Sequence, residues 1–323
     1  MRIALVGAGG MGTVHYSNYA HIPGCTVVAL VGVSDNDKKK AKEWNLPLFA
    51  SVPEMAQNVQ ADLLDVCTPT FLHKQHVLDG FANGLHVITE KPITLHKTDA
   101  EEVFAAADKA GKQLYVAQVL QFTREVEILH EVTESGRFGK PLDGYFERLS
   151  MCPAWSAGGW LFDKDKSGLL PFDLHIHDLD IIVSVFGRPQ NFSYTSCGGV
   201  GKQYKEQYRF TYNYEGCNVG AEAAWFNASI PFTARWRVYF ENAMLLNDGT
   251  SLTAYPAEGE PIVFDTEEKV KIPTGINVPP TGMFLAELTH FTDCAAKNIP
   301  SNKVPRSQVL NVVELLEEIV AGA

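Results

Sequence analysis

Nowhere in its 323 residues does the chain carry an apolar run near the roughly 18–20 residues that a membrane-spanning helix needs. It is short of positive charge as well. With 27 Lys and Arg against 38 Asp and Glu, its formal charge is −11, which disfavours nucleic acid as a partner. The six cysteines, Cys25, Cys67, Cys152, Cys197, Cys217 and Cys294, are scattered and form no CxxC pair. They suit neither a disulfide framework nor a zinc clip, and read as reduced cytosolic thiols with no metal to bind. Internal repeats and low-complexity linkers are lacking too. The opening Met1-Arg2-Ile3-Ala4-Leu5-Val6-Gly7 starts a strand directly, without a hydrophobic segment ending at a cleavage site, so a cytoplasmic location is expected. Small molecules are the expected partners, with neither membrane nor nucleic acid among them.

What remains is the pattern of a globular protein, with 46% apolar residues. The first third alternates β-branched runs (Ile3–Val6, Val27–Val33, Leu63–Cys67, Val87–Thr89, Leu114–Ala117) with amphipathic stretches near Met11–His21, Asp37–Trp44, His73–Asn83 and Asp99–Ala110. Such alternation predicts an α/β fold with a doubly wound parallel sheet. A helix then ends at Ser135-Gly136. A strand over Asp143–Met151 and a Trp/Gly-rich loop over Cys152–Gly168 follow. From Asn191 to Lys271 the chain is strand-like, with runs at Gln207–Tyr214, Gly220–Asn227, Thr233–Phe240 and Ala243–Leu246, and two helices close it, Met283–Asn298 and one near Pro305. The expected division is a nucleotide-type domain over 1–120 and an α+β domain with a large, mainly antiparallel open sheet over 121–323.

Gly7-Ala8-Gly9-Gly10-Met11-Gly12 is GxGxxG between a predicted strand and a predicted helix. The first glycine makes a tight turn, the second admits a pyrophosphate, and the third lets helix and strand pack closely. The helix N-terminus then favours the anion. Asp35, ending Val31-Gly32-Val33-Ser34-Asp35, is placed to accept from ribose hydroxyls and to repel a 2′-phosphate. NAD is therefore preferred over NADP. Two features qualify this: Asp35 also suits a helix N-cap, and Lys38-Lys39-Lys40 lies close by.

Thr89-Glu90-Lys91-Pro92 carries a strand into a charged pair and a proline. Ligands of a parallel sheet gather at the carboxyl ends of its strands, which places Glu90 and Lys91 at the cofactor cleft. Proline disfavours helix for Lys91, and a partly desolvated amine there could serve a substrate oxygen. A surface salt bridge is the plainer reading of an isolated Glu-Lys-Pro. Upstream, Thr68-Pro69-Thr70 ends another strand beside the bound cofactor. His73 either touches the nucleotide or caps the next helix, with the structural role favoured.

These pieces resemble the glucose–fructose oxidoreductase/inositol dehydrogenase/MocA (Gfo/Idh/MocA) family of NAD(P)-dependent oxidoreductases along essentially the whole chain. The carriers are GAGGMG, Asp35, CTPTFLH, TEKPIT, GLLPFDLHIHDLD and the C-terminal FLAELTHF. The resemblance implies a Rossmann domain, then an α+β domain commonly used for oligomerisation, hence a homodimer or homotetramer. It implies that Lys91 is the catalytic lysine and that Asp173 and His177 are the substrate-site pair. The chain departs from the family pattern at Gln121, where many relatives carry arginine, and at His175, often glycine. Both positions fall near the expected substrate pocket, so substrate identity does not carry over.

In Asp173-Leu174-His175-Ile176-His177-Asp178-Leu179-Asp180, helical spacing puts Asp173, His177 and Asp180 on one face. On a helix of ~100° per residue His175 points about 200° away from His177. Two histidines on one metal are thus disfavoured, and no further Cys/His spacing supplies a zinc site. An acid/base pair fits better, with His177 taking a proton and Asp173 orienting it. The plainer reading has Asp173 and Asp178 capping and solvating an ordinary helix. Trp155 and Trp160 either wall the cleft or pack as core. The expected reaction is hydride transfer between nicotinamide C4 and a secondary alcohol of a sugar, polyol or cyclitol. Two alternatives stand beside it: an NAD-dependent glycoside hydrolase working by transient oxidation, and a non-catalytic NAD-sensing module.

Overall fold

A computed structural model describes residues 1–199 and 201–322, in two compact units. The first joins Met1–Phe122 to Glu268–Val313; the second joins Thr123–Glu267 to the residues from Glu314 onward.

In the first unit, six strands, β1 (Arg2–Val6), β2 (Thr26–Val31), β3 (Leu48–Phe49), β4 (Leu63–Val66), β5 (His86–Glu90) and β6 (Leu114–Ala117), form a parallel sheet ordered β3-β2-β1-β4-β5-β6. The order reverses between β1 and β4, which makes that point the ligand crevice of a doubly wound sheet. β4 and β5 are buried along their whole length, as apolar runs covered on both faces must be. Helices Gly10–Tyr19, Asp35–Glu43, Val52–Asn58, His73–Ala82 and Lys97–Ala110 connect the strands. β3 and the helix Val52–Asn58 were not expected. Two residues give no strand period, and seven give barely two helical turns.

The second unit holds β7 (Pro141–Met151), β8 (Asn191–Cys197), β9 (Gln207–Tyr214), β10 (Cys217–Phe226), β11 (Thr233–Phe240), β12 (Ala243–Asn247), β13 (Leu252–Pro256) and β14 (Ile262–Phe264). They form one sheet ordered β14-β13-β12-β11-β7-β10-β9-β8, antiparallel except between β7 and β10. β9 alternates buried and exposed residues, and its inward side chains Tyr208, Phe210 and Tyr212 stack in a row with centroids 5.6 and 6.1 Å apart. The helix Arg124–Ser135 stops at Gly136, whose left-handed φ of 62° suits a residue without Cβ.

One boundary differs from the sequence reading. The expected second domain ran unbroken from 121 to 323, yet 268–313 belongs to the first unit. The helix Met283–Lys297 buries Leu288, Phe291, Cys294 and Ala295 in the same core as Ile88, Val103, Tyr115 and Val116, with Phe291 stacked 5.2 Å from Tyr115. An amphipathic helix shows that it must bury one face, not which sheet receives it. Among the described residues no helix is long and apolar enough to cross a membrane.

Candidate active site

The glycine loop turns directly from β1 into the helix Gly10–Tyr19. Gly7 has φ 84°, and a Cβ there would lie 3.1 Å from the Cys67 carbonyl oxygen. A Cβ on Gly12 would lie 2.0 Å from the Gly7 carbonyl oxygen, so glycine is compulsory where helix and strand touch. Gly9 and Gly10 are exposed and Met11 half-buried. A Cβ on Gly9 would meet nothing, and the first helical turn carries no acidic side chain. Free amides open to solvent, with no carboxylate competing for them, fit a dinucleotide pyrophosphate.

Asp35 is not the N-cap. Ser34 takes that position and forms a capping box with Asp37, which leaves the Asp35 side chain exposed, its Oδ1 2.9 Å from Lys38 Nζ. The carboxylate thus stands exposed beyond the end of β2 and paired with Lys38. The neighbouring Asp37 was not singled out from sequence. It is buried, accepts from the Ala8 amide at 2.8 Å through Oδ1 and from the Ser34 amide and hydroxyl through Oδ2, and so fixes the glycine loop. Asn36 adds a bond from its side-chain amide to the Ala8 carbonyl at 2.6 Å.

Thr68, Pro69 and Thr70 follow β4 after Cys67, and Lys91 follows β5, all at the carboxyl edge of the sheet. Thr68 Oγ1 and, beyond β6, Gln118 Oε1 are buried with no hydrogen-bond partner among the described residues. Both await one, as the lining of a cofactor cleft would. Lys91 is half-buried and its peptide bond to Pro92 is cis. Glu90 is buried, and its Oε2 accepts from the Lys91 amide at 3.1 Å.

His73 is a correction to its place among the cofactor contacts. Its ring is buried, with Nδ1 2.8 Å from the Pro92 carbonyl oxygen and Nε2 2.8 Å from that of Thr68. Burial depresses its pKa. A neutral ring has one N–H to give, so it donates to one of these carbonyls while lying between the turns that follow β4 and β5.

In the second unit the helix carrying the two histidines is not uniform. Pro171–His175 winds as a π-helical turn closed by the Ile176 amide on the Pro171 carbonyl, and Ile176–Phe186 continues as α-helix. Asp173 and His177 are the half-exposed residues in an otherwise buried stretch from Pro171 to Val183. Each member of the expected pair is thus partly accessible. Asp180, expected beside them, is buried. The π turn ends before His177, so His177 and Asp180 keep ordinary α-helical spacing, and the difference lies in what covers Asp180.

Two further corrections concern this segment. His175 is not a substrate contact: it is fully buried, its ring lies 3.9 Å from Phe210 at 8°, and its Nε2 is 2.7 Å from the Tyr212 hydroxyl. Burial, aided by the Arg148 charge, pulls its pKa down to about 3. Nor does Asp178 solvate the helix. It is buried and receives Arg148 of β7 through Nε and Nη2, both at 2.9 Å, a two-pronged bond that locks the helix against the sheet one residue from His177. Gln121 is buried in the short turn Val119–Phe122 of the first unit. Trp160 sits in the loop before the helix, its ring edge-on to exposed Trp155 at 6.4 Å.

A parallel six-stranded sheet with a glycine loop at its first crossover and a lysine ending its fifth strand defines a dinucleotide-dependent oxidoreductase scaffold. The comparisons agree. Residues 1–118 match the oxidoreductase family, NAD-binding Rossmann fold, and residues 126–246 match the GFO/IDH/MocA C-terminal domain. The chain belongs to the Gfo/Idh/MocA oxidoreductase family. Among curated relatives it is similar to D-glucoside 3-dehydrogenase of Escherichia coli, 30% identical over 58% of this chain and 55% of that protein. It is also similar to myo-inositol 2-dehydrogenase of Thermotoga maritima, 27% identical over 58% of this chain and 55% of that protein. The matched stretch thus spans about half the length of these relatives. Among solved structures, an oxidoreductase from Agrobacterium radiobacter in complex with NAD+, L-tartaric acid and magnesium superposes with a TM-score of 0.85. It is 16% identical, and the match covers 98% of this chain and 94% of that one.

Proposed function

We propose that the protein is an NAD-dependent dehydrogenase that oxidises a secondary alcohol of a neutral sugar, polyol or cyclitol. The observation that carries the reading is Lys91, a half-buried amine at the carboxyl end of β5 in an NAD-binding Rossmann domain. The relatives named as glucoside and inositol dehydrogenases support the substrate class.

Bound NAD supplies the hydride acceptor. Lys91 donates to the reacting oxygen and stabilises the alkoxide as it develops. His177 takes the alcohol proton and Asp173 orients its ring or holds a neighbouring hydroxyl. Gln121 and Trp160 shape the substrate site. Asp35 receives the ribose hydroxyls, and its charge disfavours the 2′-phosphate of NADP. The protein works in the cytoplasm as a homodimer or homotetramer joined through its large sheet.

Turnover with a panel of polyols and sugars, followed by absorbance of reduced nicotinamide, tests the reading. Stoichiometric NADH is expected; sugar release without NADH would replace it with a hydrolase, and cofactor binding without turnover on any substrate with a sensing module. Lys91→Ala and His177→Ala should each lower kcat by about 10²-fold or more while NAD affinity holds. Undiminished kcat in both removes the assigned roles. Asp35→Ala should weaken NAD and narrow its advantage over NADP, as titration with each cofactor would show.

A further inference from the structure

Beneath the glycine loop lies a cluster of ionisable groups that the reaction above does not use. His15 stands three residues after Gly12 on the helix Gly10–Tyr19 and is fully buried. Its Nδ1 is 2.8 Å from Asp65 Oδ2, on β4 and fully buried too. Its Nε2 is 3.2 Å from Glu90 Oε1, at the end of β5. That second contact lacks the straight alignment of a hydrogen bond and is an ion pair when the ring is protonated. The Tyr19 hydroxyl donates to Asp65 Oδ2 at 2.8 Å, and Cys67 Sγ approaches His15 Nδ1 at 3.3 Å. Asp65 on β4, Cys67 just after it, Tyr19 on the same helix and Glu90 on β5 are the titratable groups facing the ring.

The charge follows from the geometry. A neutral imidazole has one N–H and one lone pair. With carboxylate oxygens on both sides, one lone pair would face another, without water to separate them. A doubly protonated ring offers an N–H to each and carries the positive charge that two buried carboxylates need. Burial is the largest single influence and works against that charge, but Asp65 and Cys67 together outweigh it and hold His15 well above its ordinary value. Glu90 in turn accepts the Lys91 amide at 3.1 Å, so the chain of contacts runs from β4 through His15 to the backbone of the proposed catalytic lysine.

We propose that His15 is a positioning residue: a buried imidazolium, clamped between Asp65 and Glu90, that fixes the Glu90–Lys91 turn at the cofactor edge of the sheet. The kinetic consequence rests on the dehydrogenase reading; the charge and the clamp do not.

The full-length protein labelled with 15N-histidine decides the charge, with His15→Gln to assign the resonance. At pH 8 both His15 nitrogens should carry protons. A neutral His15 at that pH overturns the proposal. So does stoichiometric zinc or iron in the purified protein, because His15, Asp65 and Cys67 lie close enough to share a metal and a ligating imidazole cannot hold both protons. For the clamp, hydrogen exchange at the Lys91 amide should quicken at least tenfold in His15→Gln; an unchanged rate overturns it. Should His15→Gln fail to fold, Glu90→Gln keeps the test, since it must bring the His15 titration down towards the ordinary range, and failure to do so overturns the clamp. In turnover, His15→Gln should lower kcat about tenfold or more with NAD affinity retained. A lower Tm with kcat intact marks a merely structural residue and overturns the positioning role. If the wild-type chain transfers hydride to no polyol, the dehydrogenase reading falls while the resonance and exchange measurements still decide His15.

Discussion

Two fully buried histidines show how far neighbours decide the behaviour of one side chain. His15 faces two carboxylates and is held protonated, whereas His175 lies between the Phe210 ring and the Tyr212 hydroxyl with the Arg148 cation near, and is held neutral. Their stability signs are opposite. The contribution of His15, whose pKa is raised on folding, is complete below its unfolded value and is lost as pH rises through the folded one. His175 runs the other way. Its folded pKa of about 3 lies under the unfolded value, so its contribution is complete above about pH 6.5 and falls as acid protonates the unfolded chain. Comparing urea-unfolding free energies of wild type and His175→Gln from pH 7 to 4 should show a shallower acid slope in the variant, by up to about one proton. Equal slopes would mean that His175 is protonated in the native state.

At the scale of elements, the helix Met283–Lys297 and the π-to-α helix do different work. The first is a packing device. Phe291 is fully buried, stacked on Tyr115 and edge-on to Phe122 at 5.4 Å. Phe291→Ala should cost about 3–5 kcal/mol, the range for an aromatic removed from a close-packed core, read as a lower urea midpoint. A cost under about 1 kcal/mol would mean that the helix docks only weakly on the sheet. The second helix presents chemistry. Its π turn leaves Asp173 and His177 accessible in a buried stretch, and Arg148 on Asp178 keeps it against β7. The helical period was readable in DLHIHDLD; the wider turn was not, because no repeat in the sequence marks it.

For the molecule as a whole, the decisive fact is that the nucleotide-binding unit is built from two separated pieces of chain. Residues 1–122 expressed alone leave uncovered the surface that Leu288, Phe291, Val309 and Val313 occupy. That fragment should bind a hydrophobic dye and unfold without cooperativity. The same residues joined by a flexible linker to 268–313 should unfold in one transition and bind NAD. Cooperative unfolding of 1–122 by itself would show that the returning segment is dispensable.

Local pattern alone settled much. Strand–helix alternation, the glycine loop and the carboxyl-edge lysine each depend on neighbours within a few residues, so the Rossmann sheet and the positions of Gly7, Gly12 and Lys91 were legible before any coordinates, whereas the strand order was not. Other assignments needed distant partners. Asp37 over Asp35 as the loop anchor, His73 and His175 as structural rings, Arg148 under the helix and the return of 268–313 all rest on contacts between elements far apart in the chain. A side chain's type states which bonds it is able to make. Burial, and the charge that folding brings against it, decides which of them it does make.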